Sequence, residues 1–265
     1  MWPSSKLSGW ALSACAALYG CGTAPPPPVA GPGGQFQPAT LAEAVALGNS
    51  TAIENFLALG VDPNDPEPDG TTPLMRAVHG KMPDAAQLLI DAGADVRKAN
   101  SYGVTALYIA ARAGDDVATP MLLAAGADAN AALPASGETV LMTAAKAGNA
   151  DVVRALLTGG VEGISLDALG EARAAARAAE GAGYAPPANP AIDVNYADVD
   201  ARERLYGRTA LMIAAAEGHL ESVRLLIEAG SDLHVVDAEG STALSLARSN
   251  GNLDVAALLA EAGAD

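Results

Sequence analysis

The chain has 265 residues, half of them apolar but only 4% aromatic, and a formal charge of −16. That balance argues against nucleic acid as a partner, because phosphate binding needs clustered Lys and Arg. With so few aromatics, thin helix layers packed through Ala and Leu are expected rather than one deep core.

Residues 1–20 read as a leader. Lys6 supplies one positive charge, and Leu7 to Tyr19 is an uncharged apolar run, too short to span a bilayer and of the length of a secretory signal. The run ends Leu18-Tyr19-Gly20-Cys21, which resembles the lipobox of bacterial lipoproteins, although Tyr19 departs from its small or aliphatic residue. The resemblance implies cleavage before Cys21, lipid attachment to it and an exported protein anchored in the cell envelope, on its periplasmic or surface side. Leu12-Ser13-Ala14-Cys15 fits the four-residue motif better but leaves a short apolar run, so Cys21 is preferred over Cys15. A cytoplasmic chain with an incidentally apolar N-terminus is the alternative. Both cysteines lie in or beside this leader, so neither an intramolecular disulfide nor a thiolate metal site is expected in the mature chain.

Cys21 and the residues to 38, with Pro25 to Pro28 followed by Gly-Pro-Gly-Gly, form a linker mixing polyproline and flexible chain. From residue 39 a unit of about 33 residues recurs. A threonine is followed 21 residues later by a glycine in Thr72 and Gly93, Thr105 and Gly126, Thr139 and Gly160, Thr209 and Gly230, and Thr242 and Gly263. A leucine stands two places after each threonine (Leu74, Leu107, Leu141, Leu211 and Leu244). The first unit has Ala39 in the threonine slot, Leu41 in the leucine slot and Gly60 at its end. Threonine suits a helix N-cap and the final glycine a left-handed helix end. Each unit reads as turn, helix, turn, helix. A unit so small cannot bury its apolar stripes alone and must stack on copies of itself.

These units resemble ankyrin repeats, most closely at Gly70-Thr71-Thr72-Pro73-Leu74, Ala214-Ala215-Ala216-Glu217-Gly218-His219 and Ala92-Gly93-Ala94-Asp95. The resemblance implies an all-α solenoid of about six helix-turn-helix repeats with short hairpin fingers: 39–68, 69–101, 102–135, 136–162, 206–238 and 239–265. It departs from the family where Met75, Tyr108, Met142, Met212 and Ser245 replace a histidine, so apolar packing must stand in for that residue's hydrogen bonds. In the second repeat Lys81 occupies the turn-glycine slot, and a distorted turn is expected. In the sixth, Asn252, Asp254 and Glu261 leave the last helix only partly polar, and its final turn is expected to fray.

One insertion, about 163–205, interrupts the array. Residues from Ser165 to about Gly181 predict a helix with a stripe of Leu166, Leu169, Ala172, Ala176 and Ala179. Pro186, Pro187 and Pro190 break it, and Ile192-Asp193-Val194-Asn195 resumes as a repeat's hairpin usually ends. The insertion reads either as an element that contacts a partner or covers the groove, or as a decayed repeat or neutral insertion.

Chemistry is sparse. His79, His219 and His234 lie in three repeats with no metal-binding pair, and neither a nucleophile elbow nor a phosphate loop occurs. No enzyme, cofactor or metal is expected. By resemblance the function is binding a partner protein through the concave face and fingers. His79, Arg112 and Lys146 each follow their threonine by seven residues, and Glu217 and Asn250 follow theirs by eight, the slots that face a partner in the family. With Arg97, Lys98 and Tyr102 on a finger, they form the candidate partner surface, with a basic strip over the second to fourth repeats for an acidic segment. The alternative class is an enzyme or small-ligand binder built around residues 163–205.

Overall fold

A computed structural model describes residues 38–161, 163–181 and 196–265. The signal and lipidation motifs at Cys15 and Cys21, the linker up to residue 37, and Ile192-Asp193-Val194-Asn195 lie outside the described residues. The chain divides into Met1–Ala39 and Thr40–Asp265, and the helices among the described residues lie in the second unit.

Twelve of them come as antiparallel pairs. These are α1 (Leu41–Ala46) with α2 (Ser50–Ala58), α3 (Pro73–His79) with α4 (Pro83–Asp91), and α5 (Ala106–Ala113) with α6 (Ala118–Ala124). After α7 (Val140–Ala147) and α8 (Ala150–Leu157) comes the unpaired α9 (Leu166–Gly181). Then follow α10 (Ala210–Glu217) with α11 (Leu220–Glu228), and α12 (Ala243–Ser249) with α13 (Leu253–Glu261). The first helices of the pairs pack in the order α1, α3, α5, α7, α10, α12, and the second helices form a parallel outer layer. Among the described residues no strand forms; isolated bridges at Ala99–Thr105 and Ala132–Thr139 close two fingers.

The threonines set the helix starts. Thr72, Thr105, Thr139, Thr209 and Thr242 are N-caps whose hydroxyls accept from the third amide of the helix, a bond worth about 1 kcal/mol each. The first repeat corrects the sequence reading: its cap is Thr40, which accepts from the Glu43 amide, and not Ala39. Its inner helix is one residue short, so counting back from Gly60 misplaces the cap. The residues in the family's histidine slot are buried at Met75, Tyr108, Met142 and Met212, as expected for apolar substitutes. The Met142 thioether also accepts the Thr139 amide at 3.5 Å. In the last repeat Ser245 is exposed, and its hydroxyl accepts the Thr242 amide at 2.9 Å.

Inside, alanines such as Ala110, Ala144, Ala214 and Ala247 let the inner helices pack closely, and Leu89, Leu122, Leu156, Leu226 and Leu259 fill the interior without exposure. The turn at Lys81 keeps its hydrogen bonds, Lys81 to Val78 and Met82 to Ala77 at 3.0 Å. It does so because Lys81 itself adopts φ +52°, where Gly114, Gly148, Gly218 and Gly251 stand in other repeats. The expected distortion becomes local strain. The final turn is also held: Ala264 is buried, its amide reaches the Leu259 carbonyl at 3.0 Å, and His234 Nδ1 lies 2.6 Å from Asp265.

A ladder joins the finger bases. Asn64 accepts from the Asp95 amide at 2.7 Å and donates to the Gly93 carbonyl at 3.2 Å. Asn130 does the same across the insertion, accepting from the Asp198 amide at 2.7 Å and donating to the Tyr196 carbonyl at 2.9 Å. The carbonyl of Leu156 accepts from Ala197, just as that of Leu122 accepts from Ala127. The chain therefore rejoins the repeat pattern at Ala197-Asp198-Val199-Asp200, inside the span read from the sequence as insertion. Helices α7 and α10 pack directly, as do α8 and α11.

Helix α9 docks on the outer layer, against α11. Leu166 is buried and Leu169 half-buried, but Ala172 of the predicted stripe is exposed. The contact is made instead by Gly170, where a Cβ would lie 2.2 Å from the Glu228 carbonyl, and by Arg173, which donates to the carbonyls of Ala229 (2.8 Å) and Ala197 (3.3 Å). Sequence periodicity favoured apolar residues; backbone proximity selected the glycine and a long hydrogen-bond donor.

Candidate functional site

The inner-helix ends and fingers carry the candidate surface. His79, Arg112 and Lys146 are exposed at equivalent ends of α3, α5 and α7. Their caps place them alike, each seven residues from its threonine. Neither Arg112 nor Lys146 has an anionic partner among the described residues. The other basic candidates are engaged: Arg97 Nε donates to the Gly126 carbonyl at 2.7 Å, and half-buried Lys98 donates to the Asn64 carbonyl at 2.9 Å. Both brace the finger-base ladder through neutral carbonyls and keep their positive charge. Tyr102 projects from its fingertip, 72% exposed, whereas Tyr108 is buried.

Beside the strip, side chains cap the preceding helix. Asn149 donates to the Gly114 carbonyl at 2.8 Å, Asn250 to Ala216 at 2.8 Å, and Asn252 to Ala215 and Ala216. His219 Nε2 lies 3.1 Å from the Lys146 carbonyl oxygen, a structural role. These contacts satisfy helix-end carbonyls that the helix itself leaves open.

Between the fourth and fifth repeats the surface sinks into a groove of about 240 Å³, lined by Ser136, Glu138, Lys146 and Glu203, and by Leu205, Tyr206, Arg208, Ile213, Ala216 and Glu217. The volume is below the roughly 300–1,000 Å³ of small-molecule pockets. Its fifth-repeat wall is braced. Glu203 accepts the amides of Leu205 and Tyr206 at 2.6 Å and that of Arg208 at 3.3 Å. Arg208 lies 5.1 Å from the Tyr206 ring centre and pairs with Asp237 at 3.1 Å and Glu239 at 3.7 Å. Burial pushes the Asp237 carboxyl up, but the Ser241 amide, the Arg208 guanidinium and the Glu239 amide outweigh it and hold the pKa below the usual aspartate value.

Of the sequence candidates, Lys146 and Glu217 meet in this groove, while Asn250 and Tyr102 do not line it. Sequence reasoning missed Glu138, Leu205, Tyr206 and Ile213. A signal existed for one: Tyr206 precedes Gly207 as Tyr102 precedes Gly103, so both are fingertip aromatics. The arrangement offers shape, apolar area and charge. No group of three or more His, Cys, Asp or Glu able to hold a metal occurs among the described residues.

Family models for ankyrin repeats match residues 41–132 and 175–265 as three-copy blocks, and 136–168 as a single repeat. The chain belongs to the ankyrin repeat family. Ankyrin repeats are protein–protein interaction modules, generally non-enzymatic scaffolds. Among solved structures, this ankyrin chain is similar to an ankyrin repeat domain from Acinetobacter baumannii, 27% identical with a TM-score of 0.66 over 85% of this chain and 98% of that one. It is similar too to the ankyrin repeat domain of Bcl-3, a member of the IkappaB family, 25% identical with a TM-score of 0.66 over 85% of this chain and 86% of that one. A curated relative, the potassium channel KOR1 of Oryza sativa subsp. japonica, is 35% identical over 100 residues, covering 38% of this chain and 12% of the channel.

Proposed function

We propose that Thr40–Asp265 binds a partner protein across its inner-helix ends and fingers, with the basic strip facing an acidic segment. The observation that carries this is the exposure of His79, Arg112 and Lys146 at equivalent ends of successive inner helices. Stacked helices hold the backbone that carries these groups in place before binding, so little backbone entropy is lost on association. The proposal includes presentation in the bacterial cell envelope through lipidated Cys21, supported by the sequence of the leader alone.

Affinity capture of the chain from its own cell envelope tests the first part. A partner retained by the native chain and lost with Arg112→Glu/Lys146→Glu is the expected result; unchanged capture removes the strip from the interaction. Mass spectrometry of the mature N-terminus tests the second, with acylated Cys21 expected and an unmodified Met1 overturning it.

A further inference from the structure

We infer that the groove between the fourth and fifth repeats takes a basic-apolar stretch of the partner: an aliphatic or aromatic side chain with a Lys or Arg within a few residues of it. This rests on the protein-binding reading above and adds a direction to it.

The apolar half of the argument is exposure. Leu205 is 68% exposed and Tyr206 49%, side by side on one finger, with half-buried Ile213 and Ala216 beneath them. The finger that carries them is stiffened by the Glu203 carboxylate and by Arg202, which donates to the carbonyls of Gly207 and Val236. An apolar pair held on a rigid support loses little entropy when it is covered, which is the character of an interface anchor. The groove has room for side chains rather than for a whole small-molecule ligand.

The charge half comes from which groups are already engaged. Arg208 is neutralised within the protein by Asp237 and Glu239. Glu203 is occupied by three backbone amides. The Glu138 carboxylate accepts the Thr143 hydroxyl at 3.2 Å, and Glu217 is exposed; neither has a cationic partner among the described residues. Lys146 is the one cation of the groove not paired within the described residues, and it stands at the border with the strip of Arg112 and His79. Glu138 and Glu217 therefore offer two uncommitted negative charges against one positive, on a chain of net charge −16. A cation on the occupant is favoured there, and a carboxylate is repelled. The partner segment lies with its acidic part toward the second to fourth repeats and its basic-apolar part at the fifth.

The test pans a phage-displayed library of random 12-residue peptides against the full chain in detergent micelles. Glu138→Lys/Glu217→Lys, Leu205→Ala/Tyr206→Ala and Arg112→Glu/Lys146→Glu are panned in parallel, each with circular dichroism and thermal melting matched to the native chain. The native chain is expected to enrich peptides that join Leu, Ile, Phe or Trp to Lys or Arg. The charge-reversed groove is expected to select Asp or Glu in place of the basic residue. The Leu205/Tyr206 variant is expected to bind the native-selected peptides about tenfold more weakly. Enrichment of peptides lacking a basic residue, the same peptides on all the chains, or no enrichment overturns the inference. If binding is lost only with Arg112→Glu/Lys146→Glu, the groove fails while the wider binding surface stands.

Discussion

Fifteen residues connect Ala124 of α6 to Val140 of α7, and fifty-two connect Leu157 of α8 to Ala210 of α10. Both connections lead to the same junction. In each, an outer-helix leucine carbonyl takes an alanine amide, Leu122 from Ala127 and Leu156 from Ala197. In each, the next inner helix packs directly on the previous one. Register is thus set by matching hydrogen-bond groups and buried slots, and not by the length of chain between them. Loop-closure entropy grows only slowly with length, so a long detour costs little once both its ends are fixed.

The largest test of this equivalence is Leu156→Ala against Leu122→Ala. Both side chains are without exposure, so each loss is expected to cost about 2–5 kcal/mol. Denaturant unfolding should give similar values; a much smaller cost at Leu156 would mean the interrupted junction is loosely packed. Deleting residues 161–196, which joins Gly160 to Ala197 as Gly126 joins Ala127, removes the detour outright. Cooperative unfolding should survive with a loss of about 3–5 kcal/mol, from the burial of Leu166 and Leu169 and the two hydrogen bonds of Arg173. A molten or aggregated product would show that the insertion holds the halves together.

Asn130→Ala and Asn64→Ala compare the ladder at the two kinds of junction. Each removes two hydrogen bonds, and each is expected to cost about 1–2 kcal/mol by chemical denaturation. Unequal costs would locate the weaker joint. Lys81→Gly relieves the left-handed backbone of the second repeat and should gain about 1 kcal/mol, read as a higher melting temperature. The smallest effect concerns the fifth repeat's finger. Because the Asp237 pKa is lowered in the folded chain, its contribution is present above about pH 4 and fades as pH falls through the folded value. The stability gap between the native chain and Asp237→Asn should shrink in that acid range, and a gap that stays constant would contradict the assignment.

The fold was legible because its information is local and repeated. A threonine hydroxyl caps its own helix and a final glycine ends its own turn, so Thr72 to Gly93 and its four counterparts declare helix pairs before any packing is known. Where that bookkeeping slipped, a single residue was responsible: one missing position in α1 moved the cap to Thr40. Lys81 kept the turn at the cost of strain because its hydrogen bonds are worth more than the backbone penalty. The candidate surface was half legible for the same reason. Equivalent slots put His79, Arg112 and Lys146 in line, but nothing local says that Arg97 and Lys98 are taken up by neighbouring carbonyls.

The sequence by itself determined the helix pairs, the threonine caps of five inner helices and the number of repeats, since each cap acts within one turn of its own helix and the unit recurs at a fixed spacing. Tertiary structure alone decided that α9 lies on the outer layer through Gly170 and Arg173, that Ala197 completes the bond opened by Leu156, and that Glu138, Leu205, Tyr206 and Glu217 share one groove. Those outcomes depend on groups brought together from distant parts of the chain, and no periodicity along the sequence records which carbonyl or side chain will be waiting there.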